Sequence, residues 1–308
     1  MPFRISAIAI LTLVASAAAL AGCGGSDPAS GARADAPAAS TDAARTATQR
    51  ATPAAARAWT HGYPNSIAVL GHSGSTGENS DPHRPGVEVR ENSWATGTNP
   101  AVRSVYMRIL ERNPAIKGHD YSYSEGGAAI DRVAAQAERL LATKTRADLI
   151  LIQVMDNDLT CPLDGAALSD FQSHLTAMLR KLARGAPNSS EFVVSQFGSV
   201  PTAVKSLSRD DRIAQGGTGP CDFLTPTGRV VPKKVARLEN AIHAYEAALK
   251  TACSKVRQCT YDGGAFGRIV DRREYMSSDL NHFSIKGHAK AAAVAWAAMR
   301  RAHVLPRD

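Results

Sequence analysis

Short apolar runs alternate along the chain with longer segments whose apolar residues recur every three or four positions. The short runs predict β-strands at 66–71, 120–125, 147–154, 191–197 and 258–263. The run at 147–154, ADLILIQV, is apolar nearly throughout, as expected of a central strand buried on both faces. The longer segments predict helices at 101–113, 128–143, 168–185, 234–253 and 285–302. Strands separated by helices predict an α/β fold: a three-layer α/β/α sandwich with a flavodoxin-like parallel sheet of about five strands.

Two stretches, 78–99 and 205–232, lack either period. Unstructured loops this long are uncommon in compact domains and often line binding sites. They are also consistent with insertions that have no role in binding, and the sequence leaves both interpretations open.

The first residues resemble a bacterial export signal. Arg4 is followed by an apolar stretch that is too short to favour a permanent membrane span, and it ends in Leu-Ala-Gly-Cys at 20–23. This ending resembles a lipobox, which implies a lipoprotein signal peptide at 1–22 and lipidation of Cys23. An ordinary secretory signal with a chance cysteine is the alternative. We therefore expect an exported protein held at the cell-envelope membrane surface by a lipid anchor.

Residues 23–58 are rich in alanine, proline, serine and threonine and offer no apolar face, which predicts a disordered tether. The folded domain is expected at 59–308, as a monomer. The net charge of +8 is scattered and forms no dense basic block, so the charge indicates a solvated surface and no nucleic-acid partner.

Four cysteines follow Cys23 in the predicted domain: Cys161, Cys221, Cys253 and Cys259. An even number in an exported domain predicts two disulfides, for which three pairings exist. The close pair Cys253 and Cys259 would staple a short turn and leave Cys161 to bridge Cys221. No CxxC spacing or neighbouring histidine indicates a zinc site.

Polar residues follow three of the predicted strands, and a further polar block precedes the last helix. Ser73 follows the first strand, glycines 126–127 the second and Asn157 the third, while Asp279 stands three residues before His282. Ligands of open α/β sheets bind at the carboxyl ends of the strands, where these residues would meet.

These residue types fit a serine hydrolase. A serine hydroxyl needs a base to take its proton, and a carboxylate can fix the tautomer of that base, as Asp279 could for His282 on one side of a helical turn. The backbone N–H groups of Ser73 and Gly127 and the amide of Asn157 could form an oxyanion hole.

The four blocks, in this order, resemble the SGNH hydrolases, also called the GDSL esterase/lipase family. The family's serine, glycine, asparagine and histidine match Ser73, Gly127, Asn157 and His282, and Asp279 completes the Asp-x-x-His block. The resemblance covers nearly all of the predicted domain. It implies the SGNH hydrolase fold and an esterase or lipase that cleaves carboxylic acyl esters through an acyl-Ser73 intermediate, with no metal or organic cofactor.

Two residues depart from the family pattern. His72 stands where the family usually has aspartate, which affects how the turn after the first strand is braced. Met155 stands where the third block usually has glycine, which affects the placing of the Asn157 amide. Gly126 is the alternative to Gly127 as the oxyanion donor.

Neighbouring residues offer other interpretations of the site. Ser75 is the rival nucleophile, and His288 is expected at the surface of the last helix. GHSGS at 71–75 lacks the Gly-x-Ser-x-Gly spacing around Ser73 and follows the first strand, which excludes an α/β-hydrolase elbow. The substrate is expected to be a lipid or cell-envelope acyl ester. The alternatives are an O-acetylated carbohydrate, or an inactive binding lipoprotein with the same fold.

Overall fold

The computed structural model describes residue 59 and residues 62–143 and 145–306. The predicted signal peptide at 1–22, the lipidation site Cys23 and the tether at 23–58 lie outside this part. No helix within it is long and apolar enough to cross a membrane.

The sheet has five parallel strands in the order β2-β1-β3-β4-β5, which confirms the predicted fold class. The strands are β1 (Ile67–Gly71), β2 (Asp120–Ser122), β3 (Leu149–Gln153), β4 (Ser190–Val193) and β5 (Cys259–Tyr261). Every residue of β1 and β3 is buried, whereas the edge strands β2 and β5 are three residues long and half-buried. This order is the flavodoxin-like one, and its direction of winding reverses between β1 and β3.

Seven α-helices accompany the strands in the described residues. They are α1 (Val105–Leu110), α2 (Ile130–Ala142), α3 (Gly165–Gly185), α4 (Val200–Ser206), α5 (Arg209–Ala214), α6 (Pro232–Ser254) and α7 (Ile285–Arg301). Successive residues of β1 point to opposite faces of the sheet. Ala68 and Leu70 pack with α2, α3 and α6, while Ile67 and Val69 pack with α1 and α7.

Helices α4 and α5 lie in and beside the stretch at 205–232 that was predicted as irregular. They have seven and six residues, which is less than the window over which a helical period can be recognised. Their starts carry local signals instead, because Ser208 caps α5 in a capping box with Asp211.

Side chains from the helices fix the loops at the carboxyl ends of β1 and β3. The Gln136 amide of α2 accepts from Gly71 N (2.8 Å) and donates to Gly71 O (2.9 Å), so it holds the last residue of β1. The Asp158 carboxylate, after β3, accepts from Ile130 N at 2.9 and 3.1 Å, where α2 begins. The two central strand ends are thereby tied to one helix, at the point where the strand order reverses.

Candidate active site

Ser73 lies in a single 3-10 turn, Ser73–Ser75, directly after β1. His72 caps this turn, because its Nδ1 accepts from Gly74 N at 3.1 Å. Ser75 is fully buried, and its hydroxyl contacts His72 O at 3.0 Å and Ser124 Oγ at 2.9 Å. Ser73 is partly exposed and lines a cavity, whereas the rival Ser75 faces the interior.

His72, which stands where the family usually has aspartate, braces the turn after β1. Because Nδ1 accepts from Gly74 N, the ring carries its proton on Nε2. This Nε2 lies 2.8 Å from Asp156 Oδ2. His72 thus braces the Ser73 turn through Nδ1, and its Nε2 lies close to the loop after β3 without a well-aligned hydrogen bond to it.

Asp279 and His282 are in direct contact. The Nδ1–H of His282 donates to Asp279 Oδ2 at 2.7 Å. The two residues lie in a non-helical loop closed by a Met276–Phe283 bridge, so the expected helical turn is wrong. The Asp279 carboxylate shapes this loop by accepting from the N–H groups of Asn281 (2.9 Å) and His282 (3.0 Å).

Two further side chains hold Asp279 from outside the motif: the hydroxyl of Ser277 donates to Oδ1 and the amide of Asn79 to Oδ2. Burial would raise the pKa of Asp279, but the hydrogen bonds from His282, Ser277 and the backbone hold this pKa well below its usual range. Asp279 is therefore a fixed negative charge beside the imidazole.

The charge around His282 favours its protonated form. Burial alone would lower the pKa of His282, but the hydrogen bond and charge of Asp279, reinforced by Glu78 and Asp156, raise it above its ordinary value. Glu78 is the carboxylate nearest the other ring nitrogen, with Oε2 3.8 Å from Nε2. The arrangement suits a base that receives a proton on Nε2.

The two candidate glycines differ in whether their N–H groups are used. Gly126 N donates to Glu88 Oε1 at 2.8 Å. Among the described residues, no acceptor is in reach of the N–H groups of Gly127 and Ser73. Gly127 also has φ +67°, which favours glycine at this position. Ser73 and Gly127 thus present free donors to the cavity that both line.

Asn157 lies in the loop after β3 and lines the same cavity. Its Nδ2 donates to Ala128 O at 3.1 Å, which leaves its second amide hydrogen for a ligand. Met155 has φ +95°, so the backbone here keeps the conformation for which glycine is suited. The Asn157 amide therefore lies in a loop in which Met155 has a strained backbone conformation.

Two cavities meet at four residues that line both: Ser73, Asn157, Asn281 and His282. The first, about 620 Å³, is called the polar cavity and is lined further by Glu78, Glu88, Glu125, Gly127 and Arg132. The second, about 590 Å³, is called the apolar cavity and is lined further by Phe197, Val200, Phe223, Leu238, Ile242 and Phe283. Parts of both aperiodic stretches, 78–99 and 205–232, line these cavities.

Most charges of the polar cavity are neutralised by partners. Glu88 pairs with Arg90 at 2.7 Å. Glu125 pairs with Arg132 at 3.0 Å and also with Arg139. Glu78 differs from both, since its ion-pair contact is the one with His282.

The four cysteines of the domain form two pairs at disulfide distance. Cys161 lies beside Cys221, with the Cα atoms 5.1 Å apart, and Cys253 beside Cys259, with the Cα atoms 5.2 Å apart. The first pair joins the loop that carries Asn157 to the segment after α5. In the described part of the chain, no group of three or more His, Cys, Asp or Glu side chains is arranged to hold a metal ion.

Sequence reasoning missed Glu78 and Asn79 and misplaced His288. Glu78 and Asn79 stand at the start of an aperiodic stretch without a motif, so only its length and position suggested a role. His288 was expected at the surface but is 1% exposed and packs edge-on against Phe283, with ring centroids 5.2 Å apart. The prediction was wrong because helical spacing alone does not show what covers α7.

The comparisons with known proteins give structural neighbours alone. No family model matches the chain, and no curated protein matches it. An acetyl-xylooligosaccharide esterase from Geobacillus stearothermophilus is 13% identical with a TM-score of 0.46, over 76% of this chain and 93% of that one. A candidate GDSL-like lipase from Parabacteroides merdae is 14% identical with a TM-score of 0.46, over 75% and 94%. These likenesses assign no activity to this chain.

Proposed function

We propose that the protein is a serine esterase of the SGNH type that cleaves carboxylic acyl esters. The observation that carries the proposal is the Asp279–His282 hydrogen bond, 2.7 Å long, beside a cavity that His282 shares with Ser73, Gly127 and Asn157. A nucleophile, an oriented base and unused hydrogen-bond donors at one place are the parts that acyl transfer requires.

In the proposed reaction, Ser73 Oγ attacks the ester carbonyl and its proton passes to His282 Nε2. Asp279 accepts from Nδ1–H throughout, which fixes the tautomer and stabilises the imidazolium. The N–H groups of Ser73 and Gly127 and the free amide hydrogen of Asn157 hold the developing oxyanion. His282 then protonates the leaving alcohol. Water, activated by His282, hydrolyses the acyl-Ser73 bond and regenerates the hydroxyl.

A fluorophosphonate probe tests this proposal, because it labels only an activated serine. We expect the wild-type protein to be labelled and Ser73→Ala to lose both labelling and p-nitrophenyl ester turnover, the latter by roughly 10³-fold or more. Ser75→Ala is the matched control, two residues away and buried. Labelling that survives Ser73→Ala and disappears in Ser75→Ala would overturn the assignment. An unlabelled wild-type protein would favour the inactive binding lipoprotein.

We also propose that the protein is exported and lipid-anchored through Cys23. This proposal rests on the apolar stretch and the lipobox-like ending at 20–23. Metabolic labelling with a radioactive fatty acid should modify the wild-type chain and leave Cys23→Ser unmodified. A labelled Cys23→Ser chain would exclude this anchor site.

A further inference from the structure

The two cavities differ in polarity, as do the acyl group and the alcohol of an ester. Resting on the proposed function, we propose that the apolar cavity binds the acyl chain and that the acid component is a fatty acid of medium length, roughly six to ten carbons, rather than acetate. The polar cavity then receives the alcohol.

The orientation follows from His282. The leaving alcohol oxygen must take its proton from Nε2, so the alcohol lies on the side to which this atom points. Glu78 Oε2 lies 3.8 Å from Nε2, and Glu78 lines the polar cavity but not the apolar one. The alcohol therefore occupies the polar side, and the acyl group extends to the other.

The lining of the apolar cavity suits a hydrocarbon chain. Aromatic and aliphatic side chains come from three sources: Phe197 after β4, Leu238 and Ile242 on α6, and Phe283 beside the base. Ser73, the proposed nucleophile, lines the same cavity as these side chains. An apolar chain that binds along them leaves water, and its burial stabilises the complex by about 0.8 kcal/mol per methylene.

The polar groups in the same lining are largely engaged by the protein. The Asp271 carboxylate accepts from Thr202 Oγ1 at 2.6 Å and from Ser199 N at 3.1 Å. The Gln215 amide donates to Asp279 O at 2.8 Å. These groups are held by neighbouring protein atoms, so the cavity presents mainly its hydrocarbon surface.

The size of the cavity argues against acetate as the acid component. A methyl group has about the volume of a water molecule, ~30 Å³. It would fill about a twentieth of a cavity of about 590 Å³. A longer acyl chain would fill more of this volume and bury more of its surface against the apolar lining.

The wall of the apolar cavity is also fixed to the catalytic loops. Pro220 and Phe223 line the cavity. Cys221, which lies between them in the chain, pairs with Cys161, four residues after Asn157. This pair holds the cavity wall next to the loop that carries Asn157, so the apolar cavity and the proposed oxyanion donor keep a fixed relative position.

A p-nitrophenyl ester series from acetate to decanoate tests the proposal with the wild-type chain, below the solubility limit of each ester. We expect kcat/KM to rise about 4-fold per methylene up to roughly octanoate. A steady fall from acetate onward would overturn this inference and leave the serine-esterase proposal intact. If no ester is hydrolysed and the fluorophosphonate labels nothing, the proposed function itself fails and this inference fails with it.

Ala203→Phe tests whether this cavity is the one that binds the chain. Ala203 on α4 lines the apolar cavity, and a phenyl group there would occupy the space of the acyl chain. We expect the decanoate-to-acetate ratio of kcat/KM to fall tenfold or more. Ala236→Phe, on the exposed face of α6, is the control and should keep the wild-type ratio. Equal ratios in both variants and the wild type would overturn the assignment, and fluorophosphonate titration corrects each value for the fraction of active protein.

Discussion

His72 Nε2 lies 2.8 Å from Asp156 Oδ2, across two loops that follow neighbouring strands. The same ring accepts from Gly74 N through Nδ1. The proposed nucleophile, Ser73, stands between the two contacts, and Asn157 follows Asp156 directly. His72 therefore holds the turn of Ser73 through Nδ1 and places a ring nitrogen beside the Asp156 carboxylate, where an aspartate would place a second carboxylate.

His72→Asp is expected to lower kcat/KM about tenfold, because it places a carboxylate near Asp156. Replacing Asp156 by Asn in the same chain should restore most of this loss, with a coupling free energy on the order of 1 kcal/mol. Ester hydrolysis by the wild type, both single variants and the double variant gives the value. His72→Asn, which accepts from Gly74 N without a charge, is the control. Additive losses would show that the two side chains do not interact.

The pH dependence of hydrolysis is expected to report His282. Its proposed role as base requires the neutral ring, and neighbouring carboxylates raise the pKa of His282, so kcat/KM should rise through a pKa above the ordinary value of about 6.5. Glu78→Gln removes one carboxylate that stabilises the imidazolium, so the rising limb should move to lower pH. Asp279→Asn should move it likewise and also slow turnover severely.

Glu91→Gln is the control for Glu78→Gln, because Glu91 belongs to the same stretch but is exposed and lines neither cavity. Its pH profile should equal that of the wild type. A Glu78→Gln profile that is also unchanged would show that the 3.8 Å contact with His282 has no electrostatic effect.

Met155 is expected to show backbone strain in a pair of substitutions. Both Met155→Ala and Met155→Gly delete a buried side chain, but only glycine relieves φ +95°. Met155→Gly should therefore be more stable than Met155→Ala, by about 1 kcal/mol in urea unfolding. Met178, equally buried but inside α3, should give the opposite order, because glycine destabilises a helix interior by about 1 kcal/mol. The same order at both positions would exclude strain at Met155.

Glu191 in β4 is expected to limit stability in alkaline solution. It is 1% exposed, and within the described residues neither carboxylate oxygen has a hydrogen-bond partner. Burial raises the pKa of Glu191 to about 8. The folded state thus holds a proton that the unfolded state releases near pH 4.3, so the free energy of unfolding falls as pH rises towards 8, by about 1.4 kcal/mol per unit.

His288 has the opposite effect in acid. Burial and the nearby His282 lower the pKa of His288 to about 3, so between pH 6.5 and 3 the unfolded state binds the additional proton and stability is lost as pH falls. The two slopes oppose each other between about pH 4.3 and 6.5. The contributions of these two groups therefore give a broad maximum there, with a loss on either side.

Glu191→Gln should flatten the fall in melting temperature between pH 6.5 and 8, and His288→Leu should flatten the fall below pH 4.3. Thermal unfolding across this range measures both. His243→Leu, on the exposed side of α6, should leave the acid limb unchanged. If the melting temperature of Glu191→Gln still falls at high pH, or that of His288→Leu at low pH, other groups cause the pH dependence.

The sheet and its long helices follow from periodicity, because β1 and β3 are buried on both faces and α2 and α3 each bury one stripe. The buried face of such an element can be inferred from the spacing of its own apolar residues. Helix α4 does not, since seven residues are too few to show a period. The positions of the proposed catalytic residues also follow from local rules, as each stands after a strand or before the last helix.

Contacts between distant loops could not be predicted from the chain. Asn79 and Asp279 are 200 residues apart, and their hydrogen bond depends on how the stretch after Ser75 folds over the last loop. The burial of His288 depends on Phe283 and on the sheet beneath α7, which no local pattern encodes. The predicted helical turn at 279–282 failed because Leu280 has φ +60°, which lies outside the right-handed helical region.

Ser73 precedes His282 by 209 residues in the chain, so the two residues are synthesised at different times. The ribosome releases the turn that carries Ser73 early and the loop that carries His282 late, so the proposed nucleophile exists long before its base. A chain interrupted between them would contain the serine but could not activate it. If Ser73 and His282 act together as proposed, hydrolysis requires both segments, and a fragment that ends before His282 should be inert towards acyl esters.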